Sequence, residues 1–158
     1  MDAAEFRHIM GHFATGVTVV TSRDPASGQP CGLTANTVAS VSLEPTLVLT
    51  CVDLTADSHD CILEAGFFAI NILASNQESI SRRFSRGDQA EKFIGVPYRT
   101  EATGAPVLED TLAWLDCRIW ARYPGGDHTI IVGEVAAGGA DGRDPLLYFR
   151  GGYGEFVS

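Results

Sequence analysis

The segment Gly32–Pro45 (GLTANTVASVSLEP) has an unusual composition for a predicted strand. Hydroxyl and amide side chains occupy five of the nine positions from 34 to 42, namely Thr34, Asn36, Thr37, Ser40 and Ser42. A buried strand normally avoids such groups, because each one needs a hydrogen-bond partner. Two interpretations remain open, an edge strand with a solvated face or the wall of a ligand site. A ligand wall would direct backbone N–H groups and small hydroxyls at the polar rim of a planar ligand and at its phosphate.

Three arginines, Arg82, Arg83 and Arg86, are the closest approach to a basic cluster. They could bind a single phosphate group. The formal net charge of −9 and the lack of a longer basic stretch argue against nucleic-acid binding. The histidines His8 and His12 have the i, i+4 spacing of a metal pair, but no Glu lies between them. The sequence predicts a surface or packing role for both histidines and no metal site.

The chain contains four cysteines: Cys31, Cys51, Cys61 and Cys117. None forms a CxxC pair, so neither a zinc-ribbon nor a thioredoxin-type site is indicated. Four reduced, mostly buried thiols are expected. The N-terminus carries Asp2, Glu5 and Arg7 where a signal peptide needs an apolar stretch, and the apolar runs are too short to span a bilayer. The sequence therefore predicts a cytoplasmic protein with no membrane segment.

Hydrophobic periodicity predicts a chain made mostly of strands. A first helix begins at Asp2, carries Phe6, Ile9, Met10 and Phe13 at helical spacing, and ends at Gly16. Strands are expected at 17–22, 31–43, 46–52, 67–73, 112–123, 129–137 and 146–149, and short helices at 57–65 and 75–84. The charged stretch 85–104 is expected to be a mobile excursion. Short connections between strands indicate one antiparallel barrel, so residues 1–158 are predicted to form a single domain.

Two of these strands have distinctive patterns. Within 31–43, the apolar residues Leu33, Ala35, Val41 and Leu43 recur with a period of two, which is typical of one strand face. The run 46–52 is almost continuously apolar, as expected of a strand buried on both faces. Sequences typical of phosphate loops (GxxxxGK[ST]), dinucleotide-binding turns (GxGxxG) and serine-hydrolase elbows (GxSxG) are absent.

The order and spacing of six segments resemble a known family. They are FATGVTVVT (13–21), GLTANTVASVSLEPTLVL (32–49), FFAINIL (67–73), SRRF (81–84), GDHTIIVGEV (126–135) and PLLYFRGGYG (145–154). Together they resemble the flavin reductase-like, FMN-binding split-barrel proteins, the reductase components of two-component flavin-dependent monooxygenases. The resemblance implies a mainly β fold, an antiparallel Greek-key split β-barrel with a few short flanking helices. It also implies a homodimer that uses NADH or NADPH to reduce FMN or FAD and supplies reduced flavin to a separate oxygenase.

The resemblance assigns a role to each matching position of the flavin site. Thr34, Ala35 and Asn36 would lie along the isoalloxazine edge, with Thr37 also in the cofactor-binding set. Ser40, Val41 and Ser42 would close on the polar side of the ring and the ribityl chain. Cys51 and Val52 would continue the pocket wall. Ser58, together with Arg82 or Arg83, would bind the flavin phosphate. Phe84 would make an apolar contact with the flavin, and Tyr153 would lie over the pocket. His128, in the GDHT turn, would face the nicotinamide side as the catalytic residue.

Hydride transfer between two cofactors needs little acid–base chemistry from the protein, which agrees with the absence of a catalytic triad. Two alternatives stay open. One is a split-barrel flavoprotein that holds FMN permanently and reduces another acceptor, and the other is a non-catalytic flavin- or haem-binding protein. This chain has Thr46 where the family commonly has Pro, and Thr37 where the family commonly has Ser. The sequence therefore leaves the choice between FMN and FAD undecided.

Overall fold

A computed structural model describes residues 1–157, so Ser158, the last residue of the predicted single domain, lies outside the described residues. Residues 1–157 contain four α-helices, α1 (Ala3–Met10), α2 (His59–Ala65), α3 (Glu78–Phe84) and α4 (Gln89–Lys92), and a 3₁₀ turn (Ser75–Gln77) precedes α3. The strands are β1 (Thr15–Gly16), β2 (Thr18–Arg23), β3 (Pro30–Ala35), β4 (Val38–Leu43), β5 (Thr46–Asp53), β6 (Phe67–Ile72), β7 (Tyr98–Thr100), β8 (Pro106–Leu108), β9 (Ala113–Gly125), β10 (His128–Ala140), β11 (Leu146–Phe149) and β12 (Gly152–Glu155).

Seven strands form one antiparallel sheet in the order β3-β2-β6-β9-β10-β5-β4. Its two edge strands, β3 and β4, follow one another in the chain and are joined by Asn36 and Thr37. The curled sheet therefore stays open where β3 meets β4, at the polar segment singled out above. A smaller sheet of β1, β11 and β12 lies beside it, and β7 pairs with β8. The expected mainly β, antiparallel architecture is confirmed.

Two groups of buried side chains hold these layers together. The first fills the curled sheet and includes Val20, Phe68, Ile70 and Ile131. The second lies between the sheet and α3 and includes Val19, Leu73, Phe84 and Leu108. Consecutive β2 residues Val19 and Val20 point to opposite faces and so enter different groups. Both faces of β2 are therefore buried, and its buried hydroxyls are paired, as Thr18 Oγ1 donates to Ala35 O at 2.6 Å and Ser22 Oγ to Phe67 O at 2.8 Å.

The predicted strand 31–43 is wrong, because the chain turns at Asn36 and Thr37 and forms two strands. Leu33 and Ala35 pack against the first core group, whereas Val41 and Leu43 are exposed. A bulge between Ser40 and Ser42 shifts the pairing of β4 with β5, and a bulge interrupts the alternation of strand faces. The strand at 46–52 also differs from expectation, since burial alternates along β5 and only one of its faces is in the core.

The stretch 85–104 is not a simple excursion. It contains α4 and β7, and its residues Lys92 and Val96 are buried. Gln89 Oε1 accepts a hydrogen bond from Gly32 N at 2.9 Å, and Lys92 Nζ donates to Gly32 O at 3.1 Å. Side chains of α4 thus satisfy the outer edge of β3, which has no further strand to pair with. The charged, glycine-containing sequence of residues 85–104 did not predict this contact, because polar side chains make it.

The first helix is shorter than predicted. Asp2 caps it as expected, accepting from Glu5 N at 2.8 Å, but the helix ends at Gly11. None of its residues is buried, and its large apolar side chains Phe6, Ile9 and Met10 are exposed, as is Phe13, which follows it. The apolar stripe is therefore left largely exposed among residues 1–157. Among these residues, moreover, no helix is both long and apolar enough to cross a bilayer.

The expectation of four reduced cysteines is wrong, because Cys31 and Cys61 form a disulfide that joins β3 to α2. Their Cα atoms are 6.7 Å apart, although the two residues are separated by 30 positions in the sequence. Cysteine spacing alone cannot reveal a pairing of this kind. A cross-link over a loop of this length stabilises a fold by roughly 3 to 4 kcal/mol in the chain-entropy model. Cys51 and Cys117 are free.

The free-thiol count tests this disulfide. We expect a thiol reagent to titrate two thiols in the denatured chain without reductant, Cys51 and Cys117, and all four after reduction. In the native protein Cys117 should stay unreactive, because burial, assisted by Asp116, raises the pKa of its thiol to about 12. Four thiols in the unreduced, denatured chain would contradict the disulfide.

Candidate functional site

The open edge of the sheet brings separate parts of the polar sequence pattern to one end of the fold. Val38, at the start of β4, pairs with Thr50, so Cys51 and the rest of β5 extend beyond β4. Asp53, at the end of β5, pairs with His128, the first residue of β10. The connection Asn36–Thr37, the end of β5 and His128 therefore share the end at which the sheet opens.

A pocket of about 490 Å³ lies beside this end, between β3, α3 and the hairpin of β11 and β12. Its wall includes Thr34, Ala35 and Asn36 from the polar segment and Ser81, Arg82 and Arg86 from and after α3. Ala35 contributes only a methyl group to this wall, so a ligand in the pocket can lie close to the backbone there. The wall is mostly hydroxyl, amide and guanidinium groups, which suits a polar or anionic ligand better than a purely apolar one.

Hydrogen bonds between the elements hold this pocket in shape. Thr34 Oγ1 donates to Ser81 O at 2.6 Å, which ties the end of β3 to α3. The hydroxyls of Ser81 and Tyr153 lie 2.7 Å apart and share a hydrogen bond. The Arg82 guanidinium stacks over the Tyr153 ring at 4.8 Å, and its Nη2 lies 2.6 Å from Glu78 Oε1. Tyr153 is thus fixed on the pocket wall and does not sit on a free tail.

The three arginines differ in where they point. Arg82 and Arg86 line the pocket, whereas Arg83 Nη1 donates to Ile94 O at 2.5 Å, toward the loop after α4. Residues four apart lie on one helix face and residues one apart do not. Sequence reasoning kept Arg83 as an alternative to Arg82 and did not assign Arg86 to the site. The i, i+4 spacing was the available signal for Arg86.

Phe84 and Val52, both predicted to contact the ligand, are fully buried in the two core groups. The Phe84 ring packs edge-to-face on Phe93, with centroids 4.9 Å apart. Its apolar side chain therefore stabilises the fold under α3 and has no surface to offer a ligand. The side chain of Val52 points into the curled sheet, while the neighbouring Cys51 is partly exposed. The side chains of both residues therefore face the core, and contact of Val52 and Phe84 with a ligand, through the backbone, stays a prediction.

Ser58 precedes α2 as predicted, but its side chain makes no capping hydrogen bond. It is fully buried, and its Oγ has no partner among residues 1–157. Ser58 therefore occupies the N-cap position of α2 without capping the helix through its side chain. Of the β4 residues in the predicted site, Ser40 and Val41 are exposed at the edge, and Ser42 Oγ accepts from Glu44 N at 3.2 Å. The polar segment is thus partly a solvated edge and partly a pocket wall.

His128 lies at the turn between β9 and β10, with its side chain 40% exposed. Its Nδ1 donates to Asp127 Oδ1 at 2.7 Å, which directs the other ring nitrogen away from that carboxylate. A second histidine, His59, which sequence reasoning did not single out, donates to Asp60 and accepts from Thr129 Oγ1 at 2.9 Å. His128 is therefore an available polar group at this end, and His59 is already engaged.

The carboxylate opposite His128 stays ionised. Asp53 accepts from the hydroxyl and the backbone N–H of Thr55, each at 2.7 Å. These hydrogen bonds, with a smaller contribution from His128 and His59, lower the pKa of the Asp53 carboxyl below its usual value. Negative charge beside His128 would repel a phosphate, so anions are better accommodated on the arginine side of the pocket.

A curled antiparallel sheet that opens beside a polar pocket defines a split-barrel protein with a small-molecule site. The family model "Flavin reductase like domain" matches residues 10–156. The chain belongs to this family, as the sequence motifs predicted, and the split-barrel fold class is confirmed.

Three related proteins illustrate the similarity. A probable flavin reductase of Rhizobium meliloti (strain 1021) is 41% identical over 96% of this chain, although the chain spans only 48% of that relative. A Rhodococcus opacus protein, the reductase component of 4-nitrophenol 4-monooxygenase/4-nitrocatechol 2-monooxygenase, is 40% identical over 99% of this chain and 83% of its own length. The crystal structure of the Streptomyces globisporus C-1027 NADH:FAD oxidoreductase SgcE6 superposes with a TM-score of 0.93 at 37% identity, over 99% of this chain and 95% of that one.

Proposed function

We propose that this protein is an NAD(P)H-dependent flavin reductase that transfers a hydride from nicotinamide to FMN or FAD. The observation that carries the proposal is the pocket at the open edge of the sheet, where the family motif Thr34–Asn36 forms one wall. The named activities of the relatives support it. A bound nicotinamide and flavin would themselves supply the chemistry, a hydride transfer from the one to the other.

The residues of the chain would act by binding and orientation. We propose that backbone N–H groups of the stretch from Thr34 to Thr37 and of Ser40–Ser42 meet the polar rim of the flavin ring, and that Cys51 continues this wall. The edge position of β4 supports this assignment, since its outer N–H groups pair with no strand among residues 1–157. Arg82 would attract the phosphates, Tyr153 would cover the pocket, and His128 would contact the nicotinamide.

We further propose a cytoplasmic homodimer that forms one domain and delivers reduced flavin to a separate oxygenase component. The exposed apolar stripe of α1 supports association, because the three large apolar side chains of this short helix, with Phe13 just after it, favour burial against a partner. The Rhodococcus relative is named as the reductase component of a monooxygenase, which supports a separate oxygenase.

Dialysed protein tests the reductase proposal. We expect NADH or NADPH to be oxidised only when free FMN or FAD is added, at a rate that saturates with flavin. A protein that stays yellow after dialysis and ignores added flavin would indicate the fixed-flavin alternative. No oxidation with any flavin would contradict both enzymatic readings and leave a binding protein.

A further inference from the structure

The disulfide between Cys31 and Cys61 is attached to the strand that forms one wall of the pocket. Cys31 lies in β3 three residues before Thr34, and Thr34 and Ala35 line the pocket. Among residues 1–157, β3 pairs with β2 alone, and side chains of α4 bind its outer edge at Gly32. The disulfide adds a covalent link from the same part of β3 to α2. The redox state of the two cysteines therefore determines how firmly this wall is held.

The two cysteines differ in their access to solvent. Cys31 is 4% exposed and belongs to the first core group, whereas Cys61, in the first turn of α2, is only partly buried. Thiol–disulfide exchange begins when a thiolate attacks one of the two sulfur atoms, so access decides which sulfur reacts. An incoming thiolate is therefore expected to attack the Cys61 sulfur and to displace Cys31 as the leaving group.

A buried cation next to Cys31 favours this direction of cleavage. Lys92 is 6% exposed, and its Nζ donates at 3.1 Å to the carbonyl oxygen of Gly32, the residue after Cys31. Among residues 1–157 no carboxylate oxygen lies within 4 Å of this ammonium group, so no direct ion pair neutralises it. A nearby cation stabilises a thiolate, and a stabilised thiolate leaves faster in exchange. Lys92 thus assists the release of Cys31.

We propose that Cys31 and Cys61 form a reversible oxidation site, with hydrogen peroxide as oxidant and dithiols as reductant, and that its oxidised form holds the flavin more tightly. The proposed cytoplasmic location supports this role, because disulfides in that compartment are usually transient or redox-sensing. The proposal rests on the proposed function. Reduced flavin that no oxygenase consumes passes two electrons to O₂ and forms hydrogen peroxide, so the oxidant arises from the product of the reductase itself.

Oxidation moves two electrons from the cysteine pair to one peroxide molecule. The Cys61 thiolate attacks a peroxide oxygen, the O–O bond breaks, and the departing hydroxide takes up the thiol proton as water, which leaves a sulfenic acid on Cys61. Cys31 then attacks the Cys61 sulfur, so that the S–S bond forms, the S–O bond breaks and a second water carries away the Cys31 proton. In the reverse direction a dithiol is oxidised to its own disulfide, and its two protons return to Cys31 and Cys61.

Thiol counting on the folded protein tests whether the bond is exchangeable. We expect millimolar dithiothreitol to open the disulfide while circular dichroism shows that the fold is retained, and micromolar hydrogen peroxide to close it again. Alkylation followed by mass spectrometry of the peptides that contain Cys31 and Cys61 measures both steps. A bond that opens only when the protein unfolds would identify a permanent cross-link and overturn the proposal, as would thiols that stay reduced in peroxide.

Flavin titration of the two redox forms tests the consequence for the pocket. After removal of reductant and peroxide, we expect the oxidised form to bind FMN about five- to tenfold more tightly than the reduced form, the size of a modest coupling between two sites. Cys61→Ser should bind like the reduced wild type under both conditions. The control is Cys117→Ala, which removes a buried thiol outside the disulfide and should keep the wild-type response. Equal affinity of the two wild-type forms would overturn the proposal.

Hydrogen exchange measured without flavin or nicotinamide separates this proposal from the proposed function. Reduction should speed amide exchange severalfold in β3 and α2, which the disulfide joins, and should leave β9 and β10 unchanged. Faster exchange confined to β3 and α2, in a protein that oxidises no NADH with any flavin, would support the oxidation site and count against the reductase. Flavin-dependent NADH oxidation with unchanged exchange in β3 would support the reductase and overturn the oxidation site.

Discussion

Replacing His128 by Ala should slow reduction of the bound flavin by about ten- to a hundredfold and change flavin affinity much less. His128 lies where the sheet opens, with Nδ1 bound to Asp127, so its remaining ring nitrogen can face a nicotinamide placed against the flavin. Loss of such a contact misplaces the hydride donor, and misplacement by about 1 Å can cost a hundredfold in rate. Stopped-flow reduction by NADH and fluorescence titration of flavin measure the two effects separately.

The control for this variant is His8→Ala, which removes an exposed histidine of α1. It should leave the reduction rate unchanged. Asp127→Asn should give an intermediate rate, because it weakens the hydrogen bond that orients the His128 ring. If His128→Ala reduces flavin as fast as the wild type does, His128 does not belong to the site.

Gly133→Ala should lower the free energy of unfolding by about 1 to 3 kcal/mol, the usual cost of overpacking a core. Gly133 lies in β10 against the first core group. A Cβ atom built there would lie 2.5 Å from Phe68 Cζ and 2.9 Å from Cys117 Cβ. Neither neighbour can withdraw, because both are fully buried. The midpoint of urea denaturation measures the loss.

Two variants make this prediction specific. Gly16→Ala, in β1, introduces a Cβ with no atom within 4 Å, and should change stability by less than about 0.5 kcal/mol. Phe68→Leu in the Gly133→Ala background removes ring atoms from the point of contact and should recover part of the loss. A Gly133→Ala protein as stable as the Gly16→Ala protein would show that the core accommodates the methyl group.

Local sequence signals predicted many elements of the fold because they depend on near neighbours. Asp2 caps the first helix as expected, α2 ends at residue 65 as expected, and the strand expected at 112–123 corresponds to β9. Predictions failed where a distant contact decides the outcome. The chain turns at Asn36–Thr37 since β3 and β4 pair with opposite ends of the sheet, and the stretch 85–104 is ordered since Gln89 and Lys92 bind the free edge of β3.

The assignments of site residues likewise succeeded where local sequence was sufficient and failed where distant contacts decide which way a side chain faces. The order of the motifs was sufficient to predict the family, and the polar segment Gly32–Pro45 does contribute to the wall of a pocket. Tertiary structure alone distinguished Arg82 from Arg83, buried Phe84 and Val52 in the core, and joined Cys31 to Cys61. The physical reason is that residue type and spacing define which groups a chain can offer. Whether a group faces a ligand, a partner side chain or the core depends on elements that are distant in sequence and adjacent only after folding.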